Sequence, residues 1–185
     1  MADFIKAYNK TSLFEGGYVF AKNDRGGETY RGISRVHHPT WVGWAEIDKL
    51  KKTEVMGRNT IFPQLEDMVM SFYRNEFWEP ISGDTIPDQG LANMLFDCSV
   101  LCGQFLAVRH WQDVLDRLIE DTDIDGHFGP QTASNTLKAC SSEFFSPAKD
   151  LFKYQWITHF YDIAKKRPEQ KDFLIGWTTR VLAHC

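Results

Sequence analysis

The chain of 185 residues carries 21 Lys and Arg against 25 Asp and Glu, a net charge of −4, with 43% hydrophobic and 14% aromatic content. That length and apolar content suffice for one compact domain, or for two small lobes sharing a core. The acidic balance and the lack of any Lys/Arg block argue against a general binder of nucleic acid or anionic membranes. No window approaches the roughly 20 apolar residues of a spanning helix, and the start "MADFIKAYNK" has neither the basic opening nor the apolar run of a signal peptide. A soluble chain is expected.

From Ala2 to Phe14 the positions Phe4, Tyr8 and Thr11 recur at steps of four and three, one buried helical stripe. Continued by four residues, the stripe lands on Glu15. Gly16-Gly17 then stops the helix, and the glycine-punctuated, alternating segment from Tyr18 to Ser34 predicts a short hairpin or irregular β excursion. A charged helical piece is expected from Trp44 to Lys52. A clearer helix follows Pro63, with Leu65, Met68, Val69, Phe72, Tyr73 and Phe77 on one side, and ends before Pro80. Residues 82–90 read as a loop of turn formers.

From Leu91 the pattern is helical almost to the end, broken by Gly103, by the turn at 121–130 and by Pro168. Trp111, Val114, Leu115 and Leu118 mark one helix, a second follows Pro130, and amphipathic segments fill 143–166 and 170–183. The chain therefore reads as mainly α, α+β by convention, with a small β-hairpin near the N-terminus. Two regions are expected, 1–90 and 91–185, packed as one globular unit.

Glu15 is the sharpest chemical signal. A glutamate on a core-facing stripe is costly if ionised and unpaired, and a raised pKa that keeps it protonated is one remedy. That is the state a general acid needs. The alternative is a helix-end glutamate that turns to solvent or pairs with a nearby cation. Asp24 follows after eight intervening residues and Thr29 after four more, with Gly26, Gly27 and Gly32 free to turn the chain sharply. A helix-end acid facing a second carboxylate across a hairpin is a geometry that glycosidases use, although "KNDRGG" is also ordinary turn chemistry.

Other motifs read more simply. Cys98 and Cys102, four apart in "FDCSVLCGQF", suit buried small hydrophobes better than zinc ligands, and with Cys140 and Cys185 they are expected to be reduced thiols. "DTDIDGHFG" imitates a calcium loop through Asp121, Asp123, Asp125 and Gly126, but its twelfth position is Thr132. A tight turn delivering Pro130 to the next helix is expected instead. His37-His38 read as a surface loop, and most of the six tryptophans as core.

These residues resemble a known family. "FEGGYVFAKNDRGGETYRGIS" is similar to the signature of the glycoside hydrolase family 108 N-acetylmuramidases, an Glu-Gly-Gly-Tyr element followed by an insert with Asp, Gly-Gly-x-Thr and Gly-Ile-Ser/Thr. "FYRNEFWEPI", "NMLFDCSVLCG", "AVRHWQDVL", "DGHFGPQT" and "FLIGWTTR" resemble the later blocks, including a C-terminal region described as peptidoglycan-binding. Two departures are His159, in a segment where arginine is usual, and Val100-Leu101-Cys102 before Gly103.

The resemblance implies a lysozyme-like fold and hydrolysis of the β-1,4 bond between N-acetylmuramic acid and N-acetylglucosamine. It implies Glu15 as catalytic acid, with Asp24 and Thr29 as its less firmly matched partners. Tyr18, Asn23 and Tyr30 are expected to line the groove, and Asp97, Asp125, Trp177 and Arg180 to hold the lobes together. No metal and no organic cofactor is implied. The partner is the peptidoglycan glycan strand, reached through a holin-type pore or another export route, and the alternative is a non-catalytic peptidoglycan-binding or secretion-activator protein.

Overall fold

The computed structural model describes residues 1–12, 16–20, 27–52, 57 and 59–184. The chain divides into two compact units, Tyr8–Glu76 and Met1–Ala7 with Phe77–Cys185.

Helix α1 (Phe4–Ser12) is opened by Asp3, whose carboxylate accepts from the backbone N–H of Ile5 at 2.8 Å. Its buried side consists of Phe4, Ala7, Tyr8 and Thr11, the stripe expected from the spacing. In the Tyr8–Glu76 unit, strands β1 (Tyr18–Phe20), β2 (Glu28–Tyr30) and β3 (Ile33–Ser34) form an antiparallel sheet in that order. The third strand goes beyond a simple hairpin. It folds back through a two-residue loop, Arg31-Gly32, in which both residues have positive φ, 49° and 78°, as a tight primed turn requires.

Arg31 is held in that uncommon conformation from two sides. The Tyr73 hydroxyl donates to its carbonyl at 2.8 Å, and its guanidinium reaches Glu66 at 3.2 Å beside the Tyr8 hydroxyl. Tyr8 donates to Glu66 at 2.7 Å, and burial, then this bond, push its pKa up to about 12. Helix α2 (Gly43–Leu50) packs Trp44 and Ile47 inward. Helix α3 (Glu66–Tyr73) buries Val69 and Tyr73 and is entered through one tight turn at Pro63–Leu65, in which Leu65 is buried.

A wide helical turn, Arg74–Trp78, follows α3 and shifts its phase. The residue driven fully inward is Trp78, five positions after Tyr73, while Phe77 stays half-buried. A 3.6-residue period predicts the inward position one residue too early.

In the other unit, α4 (Gln89–Cys102) is capped by Asp88, which accepts from Leu91 N at 2.8 Å. It is buried along most of its length, from Leu91 to Ser99. Gly103, at φ +85°, separates it from α5 (Gln104–Leu118). Helix α5 packs on α4, on α6 (Pro130–Cys140) and on α7 (Phe145–Lys166), and α7 packs on α8 (Leu174–Leu182). Trp78, Phe96, Trp111, Phe152 and Trp156 form the fully buried core, each contributing about 1.5–3 kcal/mol or more through burial.

The architecture is thus mainly α with one small sheet, as the sequence pattern implies. Among the described residues, no helix is long and apolar enough to cross a membrane.

Candidate functional site

Glu15, Asn23 and Asp24 lie outside the described residues. Gly17 sits against the backbone of Asn59 and Thr60, where a Cβ would come within 2.6 Å of Thr60 O and closer still to Asn59 O. No residue larger than glycine fits there. Tyr18 N donates to Thr60 O at 2.9 Å and Asn59 N to Tyr18 O at 2.8 Å, so the backbone after Glu15 is clamped from two directions.

The sheet sorts the other candidates by face, because alternate residues of a strand point to opposite sides. Thr29, paired with Val19 and Ser34, lies on the half-exposed face. Tyr18, Glu28, Tyr30 and Ile33 are buried. Tyr30, expected on a groove wall, has no exposed surface and belongs to the core. Its hydroxyl accepts from Phe62 N at 2.8 Å, and its ring stacks on Trp41 at 6.2 Å. Tyr18 is likewise turned inward, 6% exposed, and donates to Glu28 at 2.9 Å.

Glu28 is the charged residue that spacing alone overlooks. It accepts from Tyr18 and from Arg35 at 2.8 Å and pairs with Lys51. Arg35 in turn forks onto Asp48 at 2.6 and 2.7 Å and lies over the Trp44 ring. Burial pushes the Glu28 pKa up, but the bonds from Lys51, Arg35 and Tyr18 outweigh it and hold the carboxyl below its usual range. An ionised, fully engaged carboxylate cannot deliver a proton near neutrality. The legible signal is Glu28's strand partnership with Tyr30, two positions along the same face.

The same unit holds an open cleft of about 440 Å³ between the loop before α2 and helix α3. His38, Trp41, Asp67, Phe72, Asn75 and Glu76 line it. His38 meets the Phe72 ring edge-on at 4.7 Å, and its carbonyl accepts from the Trp44 indole at 2.7 Å. His38 is thus built into a cleft wall. Aromatic faces beside carboxylates and an amide are groups on which sugar rings stack and hydrogen-bond.

In the helical unit the matched blocks prove to be internal ties. Arg180 donates to Asp97 at 2.7 and 3.0 Å, and His184 stands 3.0 Å from the same carboxylate. Burial pushes Asp97 up, but His184 and Arg180 bring its pKa to about 2. Gln112 organises the 125–132 turn: its amide donates to Asp125, His127 O and Thr132 and accepts from Gly126 N at 2.8 Å. Asp125 is therefore spent on Gln112 and on His127 N.

Among the described residues no group of three His, Cys, Asp or Glu could hold a metal ion. Trp177 stacks between Phe160 and Phe173 at 4.9 and 5.8 Å. Cys98 is fully buried, with its thiol pushed up by burial, and Cys98, Cys102 and Cys140 are free thiols. Cys185 lies outside the described residues.

Comparison with known proteins gives two consecutive matches. The family described as glycosyl hydrolase 108 matches residues 8–103, and that described as a predicted peptidoglycan domain matches residues 106–182. The chain is also similar to the structure of Brucella abortus SagA, with a TM-score of 0.63 and 23% identity over 98% of this chain and 90% of that one. At that identity the likeness is one of fold. No curated protein matches the chain.

Proposed function

From a chain that belongs to the glycosyl hydrolase 108 family and continues into a peptidoglycan domain, we propose a muramidase that cleaves the β-1,4 bond between N-acetylmuramic acid and N-acetylglucosamine. The supporting observation is the pinned Gly17. The family's matched span contains the one described position where the backbone against Asn59 and Thr60 admits no side chain, and it fixes the chain two residues after Glu15.

In this reading Glu15, protonated, gives its proton to the departing glycosidic oxygen. Asp24 stabilises the developing positive charge or activates a water, and Thr29, from the half-exposed sheet face, helps hold that water. If Asp24 assists a water, the carboxyl groups stand about 6.5–9.5 Å apart and the anomer inverts; about 5–5.5 Å gives a covalent intermediate and retention. Inversion is the outcome we favour. The site of action is the cell wall.

Digestion of purified peptidoglycan, followed by reduction and analysis of the new ends, tests the bond assignment. N-acetylmuramic acid at the reducing end is expected. N-acetylglucosamine there would make the enzyme a glucosaminidase and overturn the assignment.

A further inference from the structure

The turn between β2 and β3 carries a residue that its own backbone disfavours. Arg31 has φ 49° and Gly32 φ 78°, and a primed two-residue turn selects Asn, Asp or Gly at its first position because these tolerate positive φ best. An arginine there is strained. Strain of this kind persists only where surrounding contacts hold it, and it gathers at sites whose geometry matters.

The contacts come from helices α1 and α3. Helix α3 supplies Glu66 at its first position and Tyr73 at its last, about two turns apart. The Tyr73 hydroxyl donates to the Arg31 carbonyl at 2.8 Å, and the Arg31 guanidinium donates to Glu66 at 3.2 Å. Helix α1 supplies Tyr8, whose hydroxyl donates to the same Glu66 oxygen at 2.7 Å and accepts from Arg31 at 3.4 Å, and whose ring lies 5.7 Å from that of Tyr73. Burial works against the Arg31 charge, but Tyr8 and Glu66 outweigh it and hold its pKa above the ordinary arginine value. The guanidinium is therefore a fixed charge at the meeting point of two helices and a turn.

We propose that Arg31 is a positioning residue, which through Glu66 and Tyr8 sets the β2–β3 turn, and with it Thr29, against the helix whose sequence stripe runs on to Glu15. The proposal rests on the muramidase reading. Thr29 precedes Arg31 by two positions on β2, and Tyr8 and Thr11 lie on the stripe that reaches Glu15 at steps of three and four. The elements assigned the acid and the water-holding threonine thus meet at one cluster. Glu28 is tied instead to Tyr18, Arg35 and Lys51, in the sheet or later in the chain, which is why its charge serves the scaffold. Positioning acts on the rate of bond cleavage: a displacement of about 1 Å between reacting groups lowers it on the order of 100-fold, while uniform contacts to the glycan keep KM in place.

The test is the kinetics of peptidoglycan digestion by wild type, Arg31→Gly, Glu66→Ala, Glu66→Gln and Glu15→Gln, each well below its melting temperature. Arg31→Gly keeps the turn, because glycine takes positive φ without strain, and removes only the side chain. It is expected to melt near the wild-type temperature, with kcat at least about tenfold lower and KM within about twofold. Glu66→Ala is expected to lose kcat to the same extent, and Glu66→Gln, which keeps an oxygen for Tyr8 and Arg31, to recover most of it. A merely structural role lowers the melting temperature and leaves kcat per folded molecule unchanged. The proposal is overturned if Arg31→Gly keeps the wild-type kcat, if a rise in KM accounts for the loss, or if Glu66→Gln is as impaired as Glu66→Ala. Should Arg31→Gly not fold, Tyr8→Phe, which removes one hydroxyl, carries the same expectations. Digestion by Glu15→Gln at the wild-type rate sinks the catalytic reading, whereas an inactive Glu15→Gln beside a fully active Arg31→Gly sinks this proposal alone.

Discussion

Gly17 and Thr60 are locked together: the space a Gly17 side chain would need is filled by the Thr60 carbonyl, which also accepts the Tyr18 N–H at 2.9 Å. Gly17→Ala must therefore push the 57–60 turn away or break the two bonds that clamp it. We expect a loss of about 1–3 kcal/mol, read by urea unfolding, together with a fall in wall hydrolysis. A variant with wild-type stability and activity would show that the clamp does not position the motif.

Glu28 and Glu15 are expected to respond in opposite ways. Glu28→Gln removes the charge that Lys51 and Arg35 surround, and should cost about 1–3 kcal/mol of stability while leaving kcat of the folded enzyme near wild type. Comparing kcat with the unfolding midpoint checks this. Loss of kcat with stability intact would move Glu28 from the scaffold into the chemistry.

Tyr30→Phe tests the correction to the groove wall. It leaves the Phe62 N–H without the hydroxyl it uses, so stability should drop by about 1–3 kcal/mol, with KM for peptidoglycan unchanged. A KM rise at unchanged stability would restore Tyr30 to the groove.

Asp97 contributes to the acid limb of stability, alongside Glu28 and Asp48, whose carboxyls are also held low. Its folded pKa of about 2 lies below the ordinary aspartate value of about 3.9, so its contribution is complete above about pH 4 and is lost as pH falls toward 2. At neutral pH, Asp97→Asn removes the buried carboxylate charge that Arg180 and His184 share, a cost of about 3–5 kcal/mol. The gap between variant and wild type should narrow on acidification from pH 4 to pH 2 in chemical denaturation. A gap that stayed constant with pH would remove Asp97 as its source.

What the sequence made legible was periodicity. Phe4, Tyr8 and Thr11 predicted the buried side of α1, and Gly103, Pro130 and Pro168 marked real breaks between helices. The Trp78 position was hidden because a widened turn inserts a residue into the period. Tyr30's burial was hidden because the strand register, which decides the face, depends on its pairing with Tyr18, 12 residues away. Gln112 left a signal: it sits between Val108 and Leu115 at steps of four and three, a polar residue on a buried stripe, and such a residue needs partners like those the 125–132 turn supplies.

In the proposed mechanism Glu15 delivers the proton. The most direct measurement compares peptidoglycan digestion by wild type and Glu15→Gln, with circular dichroism and melting curves on both. Release of soluble fragments is expected to fall by at least about 100-fold, the scale of a lost general acid, while spectrum and melting temperature stay within the wild-type range. Digestion by Glu15→Gln at the wild-type rate would contradict it.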